Sequence, residues 1–546
     1  MHRSTRPDSS DTRRRVEPSR PPGVASGRAP VEAGRRAARS VGRGAILGAL
    51  FLGALTLPAG ADPVPPYWSG HGRDAQHSGL SSVAAQSLTR LHWQRKVDLR
   101  PAYSGGDLFV HYGSPVITGA NTVIVPIRSS ARDRFRVQAV RGSDGKALWG
   151  LASDYRLPPH SWKPGFSPAL SPTGKLWLPG GGGSVLMRTE PDGRGRATRI
   201  VFYGAEALRK QRRVHLENVF INTPLTADAQ GAVFFGVQIT GGTPTGLESV
   251  IVRIGDDGAA TSVPVAAASG DASITKVAHN AAPAVSPDGH LLYVAVNGGD
   301  GLGETPGWLL ALDTTTLATI ARVRLLDPVS GQHASLSDSG TASPTVGPDG
   351  DVFFGVRENP FGFNNGRGWL LHFDATLHPK ARQGGFGWDD TASIVPAAMV
   401  PSYAGASAYL VMTKYNNYAG YGTGDGVNRL AVLDPGDSMV DPISGATIMR
   451  EVLTVAGATP DAGHVDLFPN AVREWCINTA AVDPVSKAVF ANSEDGKLYR
   501  WDMATNTLTE SIVLTAGLGE AYTPTVIGPD GTVFAINDAI LFAVGD

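Results

Sequence analysis

Ser343-Pro344-Thr345-Val346-Gly347-Pro348-Asp349-Gly350, followed by Asp351 and the apolar run Val352-Phe353-Phe354-Gly355-Val356, contains the pattern that organises the whole chain. It reads as a small residue and a proline, a short apolar stretch, an Asp-Gly turn, and a strand of period-two character. The same unit recurs at Ala282-Pro283 with Ser286-Pro287-Asp288-Gly289, and at Ser167-Pro168 with Ser171-Pro172-Thr173-Gly174. Thr223-Pro224 with Ala229-Gln230-Gly231, Thr523-Pro524 with Gly528-Pro529-Asp530-Gly531, and Ser114-Pro115-Val116 extend the series. Val395-Pro396 is a degenerate copy, and Asn478-Thr479-Ala480 is one without proline. The register positions 115, 168, 224, 283, 344, 396, 480 and 524 mark eight blade starts.

Each copy continues into a second hairpin, as in Trp308-Leu309-Leu310-Ala311-Leu312-Asp313 and Ala318-Thr319-Ile320-Ala321, giving four strands per repeat. Four-stranded units repeated radially form a β-propeller, which leaves only short, protected sheet edges. The expectation is therefore an all-β fold, a single propeller of eight blades, with seven as the alternative. The last copy stops one strand short at Asp546, and Leu91–Leu99 alternates well enough to supply it, closing the ring.

Composition agrees with this reading. The 546 residues are 42% hydrophobic and 18% charged, so a large core is available and disorder is excluded. The 67 glycines and 39 prolines favour many short strands and turns. A single cysteine, Cys476, excludes an intrachain disulfide framework, a cysteine-type zinc cluster and a C-x-x-C-H haem site.

Residues 1–61 read as a targeting segment. A basic stretch with eleven arginines and four acids precedes the apolar run Ala45–Leu57 and Pro58-Ala59-Gly60-Ala61. This is the order of a signal peptide cleaved near Ala61, with an uncleaved anchor as the minor alternative. Removing it from totals of 48 basic and 49 acidic residues leaves a net charge of −8 on 62–546. That balance argues against a nucleic-acid partner, and the expectation is a secreted or periplasmic propeller without an integral membrane span.

The run Trp68-Ser69-Gly70-His71-Gly72-Arg73-Asp74-Ala75-Gln76-His77-Ser78-Gly79-Leu80 resembles the opening segment of the pyrroloquinoline-quinone-like (PQQ-like) β-propeller repeat family. So does the blade end Ala139-Val140-Arg141-Gly142-Ser143-Asp144-Gly145-Lys146-Ala147-Leu148-Trp149, the one complete Asp-Gly-Lys-x-x-Trp ending in the chain. The family includes quinone-dependent dehydrogenases and non-catalytic scaffolds, so the resemblance implies a fold and leaves the activity open. Its alcohol-dehydrogenase branch carries a vicinal cysteine pair, which one cysteine cannot supply. PQQ is therefore disfavoured as cofactor, although a sugar-dehydrogenase type without that pair stays open.

Antiparallel geometry sorts the loops by face. First turns are tight, as are the third turns Asp313–Leu317, Gly255–Gly258 and Asp502–Thr507, so one face is plain. The second turns Thr240–Gly246, Asn297–Gly307, Glu358–Gly368 and Lys414–Asn428 swell on the other face, with Tyr415, Asn416 and Tyr418 as candidate ligand contacts. The competing reading is that these loops merely pack on one another.

Connections into the inner strands place His111, Lys163, Glu217, His279, Asp338, Asp389, Asp390, Glu474 and Glu520 toward the channel mouth on that face. Gathered carboxylates need a cation, a proton or donors to coexist. Glu217, His279, Asp338, Glu474 and Glu520 are the candidate metal ligands. Oxygen donors would suit calcium, and His111, His215 and His279 could add nitrogen. The bland account is a rim of solvated charges. Cys476 reads as a small buried hydrophobe rather than a nucleophile. His77 with Asp74 reads as structural, and Asp461, His464 and Asp466 form a weak metal hint. The expected function is binding or scaffolding through the loop-rich face, with a small molecule, a glycan or an envelope protein as partner. The alternatives are a quinone-dependent dehydrogenase and a metal-assisted hydrolase or lyase at the acidic mouth.

Overall fold

The computed structural model describes residues 67–546, apart from short stretches at 102, 105–106, 109–111, 131–133, 160–165, 194, 300–304, 339, 341 and 518–521. The chain divides into Met1–Ala61 and Asp62–Asp546, and every described residue belongs to the second unit. The targeting segment thus lies outside the described residues, as do His111, Lys163 and Glu520.

Eight sheets form eight blades in a ring, spanning 116–153, 169–201, 219–264, 276–324, 345–373, 393–456, 481–513 and 526–545. Blade 8 is completed by Arg90–Lys96, which pairs antiparallel with Ile540–Gly545 in the register Trp93 to Ala543 and Lys96 to Ile540. The closing strand also reaches blade 1, where Trp93 Nε1 donates to Gly142 O at 2.6 Å. Trp149 repeats this device one blade on, donating to Pro191 O at 2.9 Å beneath the Arg188 guanidinium.

The repeat signature has a physical cause at each position. In blade 4, Pro287 and Asp288 occupy the centre of a turn closed by Gly289 N–H to Ser286 O at 2.9 Å. Gly289 then takes φ +77°, the left-handed conformation that such a hairpin requires and that glycine adopts without strain. The strand that follows is buried on both faces, as in Val352-Phe353-Phe354-Gly355-Val356 of blade 5, where Phe354 has no exposure. Truncating a buried phenylalanine of this kind costs about 3–5 kcal/mol.

The residue before the proline ties neighbouring blades together. Ser343 Oγ accepts the Ala282 N–H at 2.9 Å, Ser343 N–H donates to Thr391 Oγ1 at 3.0 Å, and Thr523 Oγ1 donates to Tyr112 O at 3.0 Å. Proline fits beside it because the innermost strand is an edge, where a missing N–H removes no ladder bond.

Residues 67–83 form a strap across the axis. Its backbone bonds to inner strands of six blades, through Ile117, Leu170, Val285, Val346, Ile394 and Val482, at 2.7–3.0 Å. These partners lie next to the first turns of their blades, so the strap covers the plain end of the ring. Its own Trp68 and His77 are fully buried. The family-like segment thus has a structural role, and Asp74 serves it by accepting the Ser78 N–H at 3.0 Å.

Four blades depart from the expected pattern. In blades 3 and 4 the inner position is split between two short strands, Val219–Ile221 with Thr226–Ala227 and Lys276–Val277 with Ala284–Val285. Blade 5 has three regular strands, and its fourth position carries the isolated bridges Leu370–Gly384 and Phe373–Pro379. Pro379 and the glycines at 384, 385 and 387 deny that segment a continuous ladder. In blade 6 the inner strand runs Ser393–Pro396, so Pro396 ends the strand instead of opening it.

Candidate functional site: the charged mouth of the channel

At the loop-rich end, residues entering the inner strands meet residues leaving the second strands. Between blades 4 and 5, Lys276 Nζ lies 2.9 Å from Asp338 Oδ2 and donates to Asn297 Oδ1 at 2.9 Å. Asn297 Nδ2 donates to Asp338 Oδ1 at 2.9 Å, and the His279 N–H approaches the same oxygen at 3.4 Å. Burial would raise the Asp338 carboxyl, but His279 and Lys276 outweigh it and hold the group below the usual carboxylate range.

The second part of the mouth is built by Gly387-Trp388-Asp389-Asp390. This segment lies flat on blade 5: a Cβ on Gly387 would stand 2.1 Å from Trp369 C, and one on Gly355 would stand 1.8 Å from Gly387 O. Asp389, at φ +63°, then turns toward blade 6, where its Oδ2 is 3.2 Å from Lys414 Nζ. Lys414 is 1% exposed. Burial alone would push its ammonium down, but Asp389, with Cys476 and Asp390, holds it above its ordinary value. Asp390 accepts Thr413 Oγ1 at 2.6 Å and the Lys414 N–H at 3.3 Å. Burial pushes its carboxyl up to about 7 against the pull of Lys414.

Blade 7 adds Glu474, Cys476 and Glu494, whose donor atoms lie within 4.8 Å of one another. Cys476 Sγ is 3.5 Å from Glu494 Oε2, and Arg473 is 3.5 Å from Glu494 Oε1. Burial pushes the Glu494 carboxyl up. A thiolate with two carboxylates would suit a borderline ion such as zinc better than calcium, which takes six to eight oxygens.

His279 and Asp389 line one recess of about 290 Å³, together with Ser335, Ser337, Arg357 and Trp388. It is so narrow that it admits little more than a water molecule. The Arg357 guanidinium is sandwiched over Phe361 at 4.3 Å and Trp388 at 4.9 Å, linking the recess to the outer loops.

Those loops interlock. Glu358, buried, accepts the N–H groups of Gly362, Gly366 and Gly368 at 2.7–3.0 Å, which fixes the turn of blade 5. Asn365 Nδ2 donates to Asn417 Oδ1 in the blade 6 turn at 2.8 Å. Asn416 spans to blade 7, accepting the Trp475 N–H at 3.2 Å. Tyr415 is buried below the Arg367 guanidinium, 5.6 Å away. Tyr418 stacks 6.2 Å from Phe386, and burial pushes its phenol well up, with Glu474 adding to the effect.

The structure therefore brings His279, Asp338, Asp389, Asp390, Glu474, Asn416 and Tyr418 to one region. Glu217 is placed elsewhere. It sits on the helix Arg212–Asn218, about half exposed and paired with Arg213 at 3.0 Å. His215, on the same helix, stacks on Tyr203 at 4.8 Å. Asp461 and His464 pair locally at 2.7 Å, while Asp466 is exposed. The buried bases Lys276 and Lys414, together with Glu494, were not singled out from sequence. Each follows or precedes its partner by 18 to 62 residues, and only the folded chain joins them.

A quinone carrying three carboxylates would need free cations and a slot for a flat ring. Among the described residues, both buried lysines of the mouth are committed to aspartates, the recess between them is narrow, and Cys476 is alone. Among the described residues no helix is long and apolar enough to cross a membrane.

No family model and no curated protein matches the chain. Among solved structures it is similar to a europium-containing methanol dehydrogenase, with a TM-score of 0.52 and 10% identity over 86% of this chain and 89% of that one. A quinohemoprotein alcohol dehydrogenase from Pseudomonas putida gives 0.47 and 15% over 89% and 76%. BamB from Moraxella catarrhalis gives 0.41 and 11% over 83% and 98%. Identities this low speak for architecture alone, and the architecture is that of an eight-bladed β-propeller.

Proposed function

We propose that this protein is a binding propeller that holds a partner on its loop-rich face, and that it does not work as a quinone dehydrogenase. One observation carries the reading. The interlocked turns of blades 5 and 6 present Phe361, Phe363 and Tyr421 to solvent at 46–48% exposure, in a line that continues through Arg357 and Trp388 to the Asp389–Lys414 pair. Large side chains left exposed on a rigid scaffold mark interaction sites, because exposure forgoes the stabilisation that burial would bring.

Two measurements test this. A photo-crosslinking residue at Phe361 should capture a partner in cells of the source organism, while the same residue at Pro348, on the plain face, should capture none. Thermal unfolding with calcium and PQQ should show no shift, and dye reduction with alcohols or sugars should stay at background. A PQQ-dependent rise, about 2.7 kcal/mol at a hundredfold excess over Kd, accompanied by dye reduction would overturn the binding reading.

A further inference from the structure

We infer that the partner is an uncharged glycan chain, which lies across the Phe361–Tyr421 platform and directs one sugar toward the recess beside Asp389. The inference rests on the binding reading above and names the class of ligand.

The platform offers exposed aromatic ring surface to a partly apolar ligand. Phe361 and Tyr421 stand edge to face with ring centroids 5.5 Å apart, and Tyr421 meets Tyr418 at 6.4 Å. Their backbones are fixed by the Glu358 carboxylate and the Asn365–Asn417 bond, and Asn365 Oδ1 also accepts the Thr423 N–H at 2.8 Å. The rings are therefore pre-organised, so little ordering entropy is lost on binding. One face of a pyranose ring is a patch of C–H groups that stacks on an aromatic ring, while its edge carries hydroxyls.

The surroundings supply partners for such an edge. The recess offers Ser335, Ser337, the Asp389 carboxylate and the Arg357 guanidinium, all lining one volume. Convergent polar groups next to an aromatic wall are the usual make-up of a small-ligand site. Its width admits a hydroxyl in place of a water, and does not admit a whole ring.

Charge selects among glycans. Along the strip Arg357 and Lys414 stand against Asp389, Asp390 and Glu474, so no excess positive charge faces the ligand. Residues 62–546 carry a net charge of −8, which repels a polyanion at long range. A uronate or sulfated chain would meet acid at the recess and gain only the single Arg357 cation, already held by two rings.

The experiment uses the 62–546 chain and follows tryptophan fluorescence, to which half-buried Trp388 contributes, during titration with hexamers of N-acetylglucosamine, glucose (β-1,4 and α-1,4) and xylose. Polygalacturonate serves as the anionic counterpart. At least one uncharged hexamer should bind, and polygalacturonate should bind at least tenfold more weakly. The double variant Phe361→Ala/Tyr421→Ala should lose tenfold or more in affinity with its melting curve unchanged, and Asp389→Asn should weaken binding less. Failure of all four hexamers, equal binding of polygalacturonate, or an unaltered double variant would each overturn the glycan assignment. Crosslinking of a protein to position 361 in the absence of glycan binding would overturn it too, while leaving the binding reading standing. PQQ-dependent dye reduction would remove both.

Discussion

At the end bearing the Asp-Gly turns, residues 67–83 meet the inner strands through backbone hydrogen bonds, with Trp68, His71 and His77 buried between them. At the opposite end the same strands are joined by buried ion pairs, Lys276–Asp338 and Lys414–Asp389. The first end is held mainly by backbone hydrogen bonds and buried rings, with one ion pair, Arg73–Asp74, at its margin. The second holds opposite charges in a low-dielectric ring, where each depends on its partner and where removing one strands the other. One end is thus a seal, and the other is a polarised surface left facing the loops. The same fold can stabilise itself at one pole and keep electrostatic work available at the other.

Deleting the strap is the harshest way to break this contrast. An internal deletion of residues 67–83 removes the inner-strand bonds of six blades and the burial of Trp68. At about 1 kcal/mol per backbone bond, plus the burial of a tryptophan, the loss exceeds about 5 kcal/mol. That is comparable with the whole stability of many domains. The expected result is a chain that no longer gives a cooperative urea transition. Retention of the transition at an unchanged midpoint would show that the ring closes without its strap.

The ring of blades was more legible in sequence than the mouth, for a physical reason. Proline before an inner strand, glycine after Asp-Gly and alternating strands are local requirements, so each is written within eight or so residues, as at Ser343–Gly350. Closure by Arg90–Lys96 was readable because the last blade lacked a strand. The mouth depends on pairs such as Lys414 with Asp389, one on a strand and the other on the connection before its blade, which leave no spacing signature. Sequence could place Asp389 at the end of a connection, but not the lysine that neutralises it. It also misplaced Glu217, because a short helical insertion shifted the count of residues leading into blade 3. The packing and binding readings of the long loops turned out to be compatible: Asn365 and Asn417 lock the turns together, and the same lock holds Phe361 and Tyr421 outward.

The middle-sized test acts on the charged end. Lys414→Met keeps the length of the side chain and removes its charge, leaving Asp389 and Asp390 without their buried cation. Breaking a buried pair this way costs about 3–5 kcal/mol. The double variant Lys414→Met/Asp389→Asn should recover much of that loss, since both charges are then gone. Measured by urea unfolding at pH 7, a double variant as unstable as the single one would mean that Lys414 acts through packing on Phe386, 5.7 Å away, more than through charge.

The finest test asks whether the sealed end is truly neutral. His77 is fully buried, with Nδ1 2.6 Å from Pro344 O, and His71 meets it edge to face at 5.3 Å. Burial lowers His77 to about 4, although the Pro344 carbonyl and Asp74 pull the other way; burial, with His77 alongside, also lowers His71. Arg73, the remaining charged group of the strap beside them, is paired to Asp74 at 2.8 Å. Because the unfolded chain takes up these protons near pH 6.5 and the folded chain does not, the contribution to stability is complete above about pH 6.5. It declines as the pH falls toward 4, by at most about 3 kcal/mol for His77. His77→Asn suits the positive φ of +59° at this position and keeps an N–H donor for Pro344 O. Its melting temperature should fall less between pH 7 and pH 4 than that of the unmodified protein, so that the two curves draw together toward acid pH. Parallel curves would mean that His77 contributes nothing to the pH dependence of stability between pH 7 and pH 4.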